Sequence, residues 1–97
     1  MELYVIRRRS EWHTPEELEA TAARSTAEGE KMSDKVRWIR SYVVEEDDGT
    51  LGTVCIYQAV SPEAIREHAA NTGMPADEIV KVADTVIVRD DPVAAAV

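Results

Sequence analysis

The stretch KVRWIRSYVVEEDDGTLGTVCIYQAV, Lys35 to Val60, decides the fold. Its β-branched and aromatic residues alternate with polar ones at a period of two, the spacing of a strand that shows one face to a core. The alternation breaks once, at Glu45-Glu46-Asp47-Asp48-Gly49, where Asp-Gly is the dipeptide that hairpin turns favour because it tolerates positive φ. The reading is two strands, Lys35–Glu46 and Leu51–Val60, folded back through an acidic turn.

Upstream, Thr14-Pro15-Glu16-Glu17 carries the marks of a helix start: an N-cap hydroxyl, proline at the first helical position and a glutamate three residues after the cap. The helix that follows presents Leu18, Ala22, Ser25, Gly29 and Met32 inward, a stripe of mostly small residues that lets it lie close on a sheet. Trp12 or His13, just outside the cap, is placed to pack on Leu18. Before it, Leu3–Arg8 reads as a first strand. Downstream, Ser61 and Pro62 open a second helix that Gly73 ends. Ile65, His68, Ala69 and Thr72 share one face of it. Pro75–Glu78 reads as one more helical turn, and Val80–Arg89 as a fourth strand. The order β-α-β-β-α-β specifies an α+β, ferredoxin-like split βαβ sandwich, with a four-stranded antiparallel sheet and both helices on one face. Residues 1–90 form the expected single domain and residues 91–97 a loose tail.

Alternation in the hairpin divides the two faces. Ile39, Ser41, Val43, Val54, Ile56, Gln58 and Val60 form a mainly aliphatic set suited to lie under the helices. Trp38, Arg40, Tyr42, Val44, Thr53, Cys55, Tyr57 and Ala59 form the other set, aromatic and polar, on the side with no helix to cover it. An open face bearing Trp38, Tyr42 and Tyr57 is too apolar to stay wet, so a second copy is expected to close over it. That arrangement is a homodimer, a dimeric α/β barrel, with a mixed aromatic and polar cavity between its sheets.

Bulk properties narrow the function. A net charge of −8 and a pI near 4.7 oppose binding to nucleic acid or to an anionic membrane, since phosphate recognition needs concentrated Lys and Arg. The basic run Arg7-Arg8-Arg9 is short, and on a strand it splits between two faces. A single cysteine, Cys55, forbids an intrachain disulfide. No apolar run is long enough to span a bilayer, and MELYVIRRR lacks the form of a signal peptide, so a cytoplasmic protein is expected.

The segments VRWIRSYV and GTVCIYQAVSPEAIREHAANTGMPADEIVKV resemble a family of small proteins catalogued as a domain of unknown function, whose members include nickel-binding proteins with a dimeric ferredoxin-like α/β-barrel fold. The matching residues are Trp38, Ser41-Tyr42, Cys55, Tyr57, Glu63, Ile65-Arg66, His68-Ala69, Gly73 and Pro75-Ala76. The resemblance spans Val36 to Val82 and implies the fold, the dimer and a bound nickel or other divalent transition metal.

Two functional readings follow. In the first, the chain is a homodimer that binds nickel or a small molecule. His68, Cys55 and His13 are its candidate metal ligands, because imidazole and thiolate suit such ions. Trp38, Tyr42, Cys55 and Tyr57 are its candidate cavity lining. In the second, the chain is an enzyme on a small organic substrate, with Tyr42 or Tyr57 as acid, His68 as base and Arg40 steadying an anion. Arg40 also shares the expected face of Cys55, where it would favour a thiolate. Each candidate has a plain structural reading beside these. His68 is a buried ring that locks its helix down, Cys55 a small core residue, Tyr42 and Tyr57 bulk, and His13 a surface or staple residue. The acidic turn lacks the spacing of a calcium loop and reads as solvated.

Overall fold

The computed structural model describes residues 1–92. Its elements are β1 (Glu2–Trp12), α1 (Pro15–Lys31), β2 (Val36–Glu45), β3 (Leu51–Ala59), α2 (Pro62–Thr72) and β4 (Glu78–Lys81). The strands form one antiparallel sheet in the order β2-β3-β1-β4, which is the ferredoxin-like arrangement read from the sequence. The hairpin ends agree with the sequence reading to within one residue. Asp48 accepts from the backbone and hydroxyl of Thr50, and Gly49 takes φ +86°.

The helix ends follow from their caps. Thr14 Oγ1 accepts from Glu17 N at 3.2 Å, and the Glu17 carboxylate reaches back to His13 N at 2.8 Å, one residue before the cap. Ser61 caps α2 through Ala64 N. Gly73 closes α2 at φ +81°, and Gly73 N and Met74 N both donate to Ala69 O, the doubled bond of a glycine-ended helix.

Three boundaries differ from the sequence reading. The first strand runs on past Arg8 to Trp12 through an irregularity at which Ser10 adopts φ +52°. Glu46 holds that kink by accepting from Ser10 N at 2.9 Å while its two carboxylate oxygens both accept from Arg7 Nη2, at 2.8 and 3.0 Å. Residues 75–77 are not helical; Pro75 O is committed instead to the Arg8 side chain. The fourth strand is four residues long, Glu78–Lys81, and not the expected Val80–Arg89. After Val82, whose N–H bonds Leu3 O, the chain leaves the edge and crosses the open side of the sheet until Asp91 meets Arg40 and Tyr42 on β2. Of the expected tail, Asp91 and Pro92 are described and residues 93–97 lie outside the described residues.

The face assignment in the hairpin is reversed for β3. Thr53, Cys55, Tyr57 and Ala59 are buried beneath the helices, while Val54, Ile56 and Gln58 lie on the other side. Thr53, Cys55 and Tyr57 share the helix side with Arg8, Ile6 and Tyr4, their register partners on β1. β2 changes face part way along. Its register slips between Trp38 and Arg40, leaving Ile39 as an extra residue, so Trp38 stands opposite Tyr57 while Arg40 and Tyr42 stand opposite Ile56 and Val54. One bulge therefore splits a set that strict alternation keeps together.

Thr21, Ser25 and the cap residue Met32 are the buried positions of α1, with Leu18, Ala22 and Gly29 half-buried. On α2, Ala64, Ile65, His68, Ala69 and Thr72 are all buried, the face expected from helical spacing.

The Arg7–Glu46 pair gives stability a pH dependence. Glu46 is held below the usual carboxylate range, first by its hydrogen bond from Arg7 and then by Ser10 N–H. A carboxyl lowered on folding contributes fully above its unfolded value of about 4.3, and the contribution fades as pH falls through the lower folded value. Urea midpoints measured from pH 7 to pH 3 are expected to fall less steeply on the acid side in Glu46→Gln than in the parent. Parallel acid limbs would contradict this role.

Candidate functional site

Tyr57 organises the helix side of the sheet. It is 1% exposed, its hydroxyl lies 3.5 Å from Ser25 Oγ on α1, and its ring tilts against that of His68 at 5.8 Å. Trp38 stacks on it from β2, with ring centroids 6.2 Å apart and planes 6° from parallel. Burial raises the Tyr57 phenol above its ordinary value, because a phenolate there would be cut off from water.

Beside this stack lies a cavity of about 500 Å³ between α1 and the sheet. Trp12, Trp38, Tyr57, Leu18 and Met74 supply its apolar wall. Trp12 is fixed by its indole N–H, which donates to Thr21 Oγ1 at 3.0 Å. The polar floor comes from Arg8, Ser41, Thr53 and Cys55. Trp38 Nε1 donates to Ser41 Oγ at 2.7 Å, and Ser41 Oγ donates to Cys55 Sγ at 2.8 Å. Arg8 reaches the same sulfur with Nη1 at 3.5 Å and anchors Nε on Pro75 O at 2.7 Å. The cation beside Cys55 is therefore Arg8, and not Arg40 as the alternation suggested. A size of this order and a few convergent polar groups on apolar walls are the usual features of a small-molecule site.

The expected residue sets separate. Trp38, Cys55 and Tyr57 meet at this cavity as a lining set, but Tyr42 does not. Its hydroxyl donates to Asp91 at 2.7 Å on the open side, where Asp91 also pairs with Arg40. The acid/base set is broken in the same way: Tyr42 and the Arg40 guanidinium are committed to Asp91 on the open side, although Arg40 also borders the cavity, and Tyr57 and His68 lie on the helix side. The three candidate metal ligands are also not brought together. His68 is buried at 1% exposure, and its Nε2 bonds Ser25 O at 2.9 Å, tying α2 to α1. That nitrogen carries the proton, since a carbonyl oxygen only accepts. Cys55 is occupied by Ser41 and Arg8, and His13 stands exposed at the start of α1.

Among the described residues no group of three or more His, Cys, Asp or Glu is placed to hold a metal ion. The guanidinium of Arg8 at the cavity floor further opposes a divalent cation there. The residues of one chain do not fit a resident nickel ion at Cys55 or His68. Sequence reasoning missed Arg8 and Thr53, although a signal existed: Tyr4, Ile6 and Arg8 follow the strand period, so Arg8 belongs with the core side of β1.

These features define a small ferredoxin-like domain with a ligand-sized cavity under its first helix. The chain belongs to the family described as nickel responsive protein SCO4226-like, whose model matches residues 4–82. No curated protein matches it. Among solved structures it is similar to SCO4226 from Streptomyces coelicolor A3(2), with a TM-score of 0.68, 19% identity, and coverage of 87% of this chain and 99% of that one. That likeness shows the fold. No helix among the described residues is long and apolar enough to cross a membrane.

The site makes His68 a structural residue of the helix pair. His68→Ala removes a buried ring and its bond to Ser25 O, and is expected to cost about 2–4 kcal/mol in urea denaturation, with or without nickel. A parent-like curve without nickel would contradict it.

Proposed function

We propose that this chain is a binding protein that shares the nickel responsiveness named for its family, takes a small ligand into the cavity beneath α1, and works as a homodimer closed through the opposite face of the sheet. The observation that carries the reading is the cavity itself: an apolar chamber with a polar floor, walled by the Trp38–Tyr57 stack. The dimer is supported by the apolar character of the opposite side. Val86, Ile87 and Val88 are 85%, 75% and 78% exposed there, and Ile39 and Tyr42 are each 44% exposed. Three consecutive β-forming side chains left in water are a surface that a second copy would bury.

The metal half of the reading rests on the family's description. In this reading nickel binds away from Cys55, whose sulfur is held by Ser41 and Arg8, and away from His68, which is buried with Nε2 bonded to Ser25 O and Nδ1 without a partner among the described residues. Calorimetric titration of metal-free protein with nickel, with zinc for comparison, is expected to give the same affinity in the parent, Cys55→Ser and His68→Gln. Loss of binding in either folded variant would return that residue to a metal site, and no heat from the parent at millimolar protein would remove the metal half. For the dimer, light scattering during size-exclusion chromatography is expected to give twice the mass of 10.8 kDa, and Ile87→Asp to give the monomer. A dilute parent monomer would contradict the dimer.

A further inference from the structure

Arg8 is the one buried cation whose charge the fold leaves unanswered among the described residues. It is 3% exposed, yet no carboxylate pairs with it, while Arg7, Arg9 and Arg40 each have one. Its Nε is satisfied by a backbone carbonyl and its Nη1 by a sulfur, but its Nη2 has no partner among the described residues. Thr53 is 4% exposed, stands opposite Arg8 across the β1–β3 ladder, and its Oγ1 is equally without a partner. Both residues line the 500 Å³ cavity. Burying a guanidinium without a counter-charge is among the more costly arrangements a small domain can hold, and an orphaned hydroxyl beside it adds to the cost.

We propose that the cavity is an anion site, and that its ligand is a small organic monocarboxylate with an apolar, aromatic-sized body. Arg8 supplies the charge and an N–H from Nη2, Thr53 Oγ1 donates the second hydrogen bond, and the body lies along Trp38, Trp12 and Met74. This deepens the reading of the cavity as a ligand site and rests on it. Arg8 is the one buried guanidinium in the lining, while the exposed Glu19 and Arg40 add opposite charges to it, so the buried floor answers a single negative charge, and the chain's net charge of −8 disfavours a more highly charged ligand. The fork of Arg suits a planar carboxylate. The two orphaned atoms are covered by the fold as it stands, so a carboxylate reaches them only as the cavity wall shifts, and the flexible thioether of Met74 gives that wall room to adjust. Placing Arg8 opposite Thr53 on the helix side of the sheet is a consequence of strand register, and the same register keeps Glu46 on the other side with Arg7.

The test compares benzoate with benzyl alcohol, which keeps the ring and loses the charge. Trp12 and Trp38 both line the cavity, and their indole N–H resonances report occupancy by NMR in uniformly ¹⁵N-labelled protein. Benzoate is expected to shift both resonances saturably and to bind at least about tenfold more tightly than benzyl alcohol. Arg8→Met is expected to lose that preference while keeping its fold, since the substitution removes an unpaired buried charge, and Arg8→Lys to retain only part of it. Equal binding of the two probes, or an unchanged benzoate affinity in Arg8→Met, would overturn the anion site and leave the cavity as a ligand site. No shift with either probe would overturn both. Should Arg8→Met fail to fold, Thr53→Val gives the second reading: benzoate affinity is expected to fall several-fold and benzyl alcohol affinity to stay, and an unchanged ratio would overturn the proposal.

Discussion

The Tyr57 ring is the fixed point of this domain. It sits mid-strand on β3, pinned between Trp38 from the edge strand, His68 from α2 and the Ser25 hydroxyl from α1. Each of these partners belongs to a different element, so burying one side chain sets the spacing of the sheet edge and both helices together. Closely packed aromatic groups contribute about 0.5–1.5 kcal/mol per pair beyond their buried area, and here they also decide which side of the sheet the helices cover. The His68–Ser25 bond and the Arg24 bond to Thr72 O then hold the two helices to each other.

Everything chemical follows from that choice of side. With Tyr57 under the helices, Cys55 and Thr53 must lie there too, because strand parity leaves no alternative, and β1 delivers Arg8 to the same side. A polar floor thus forms below an aromatic wall, at the place where small residues on α1 leave room. The open face receives the other half of the polar inventory. Arg7 closes on Glu46, and Arg40 and Tyr42 on Asp91, at the end of the segment that crosses the sheet. Gly52 belongs to this division: a side chain there would collide with Arg8 O and the Arg7–Glu46 pair. Arg7 and Arg40, the guanidiniums that β1 and mid-β2 send to the open face, are answered within the chain. Arg8, on the buried face, is not.

The element order was legible because its signals are local. Caps at Thr14 and Ser61, the terminating Gly73 and the Asp48-Gly49 turn each act within a few residues, and the inward face of α2 follows from helical spacing alone. What was not legible depends on distant partners. The bulge at Ile39 has no marker in its own residues; it exists because Trp38 must stack on Tyr57 while Tyr42 must face the other way. Alternation carried unbroken through it placed Trp38, Tyr42, Cys55 and Tyr57 together on a bare face. The fourth strand is shorter than its composition predicts for a related reason. Thr85–Arg89 has the composition of a strand, but β4 already holds the edge of the sheet beside β1, and the segment turns across the sheet instead. Candidate residues were thus recognised by type, but which of them share a chamber was settled by register.

The claim on which this account stands is that β2 changes face at Ile39, so that one side of the sheet holds Trp38 with Tyr57 and the other holds Tyr42. A nuclear Overhauser spectrum of the protein measures that directly. Cross-peaks from the Tyr57 ring to the Trp38 indole and the His68 ring, with none between the Tyr57 and Tyr42 rings, are the predicted result. Contacts joining Tyr57 to Tyr42, with His68 silent, would contradict it.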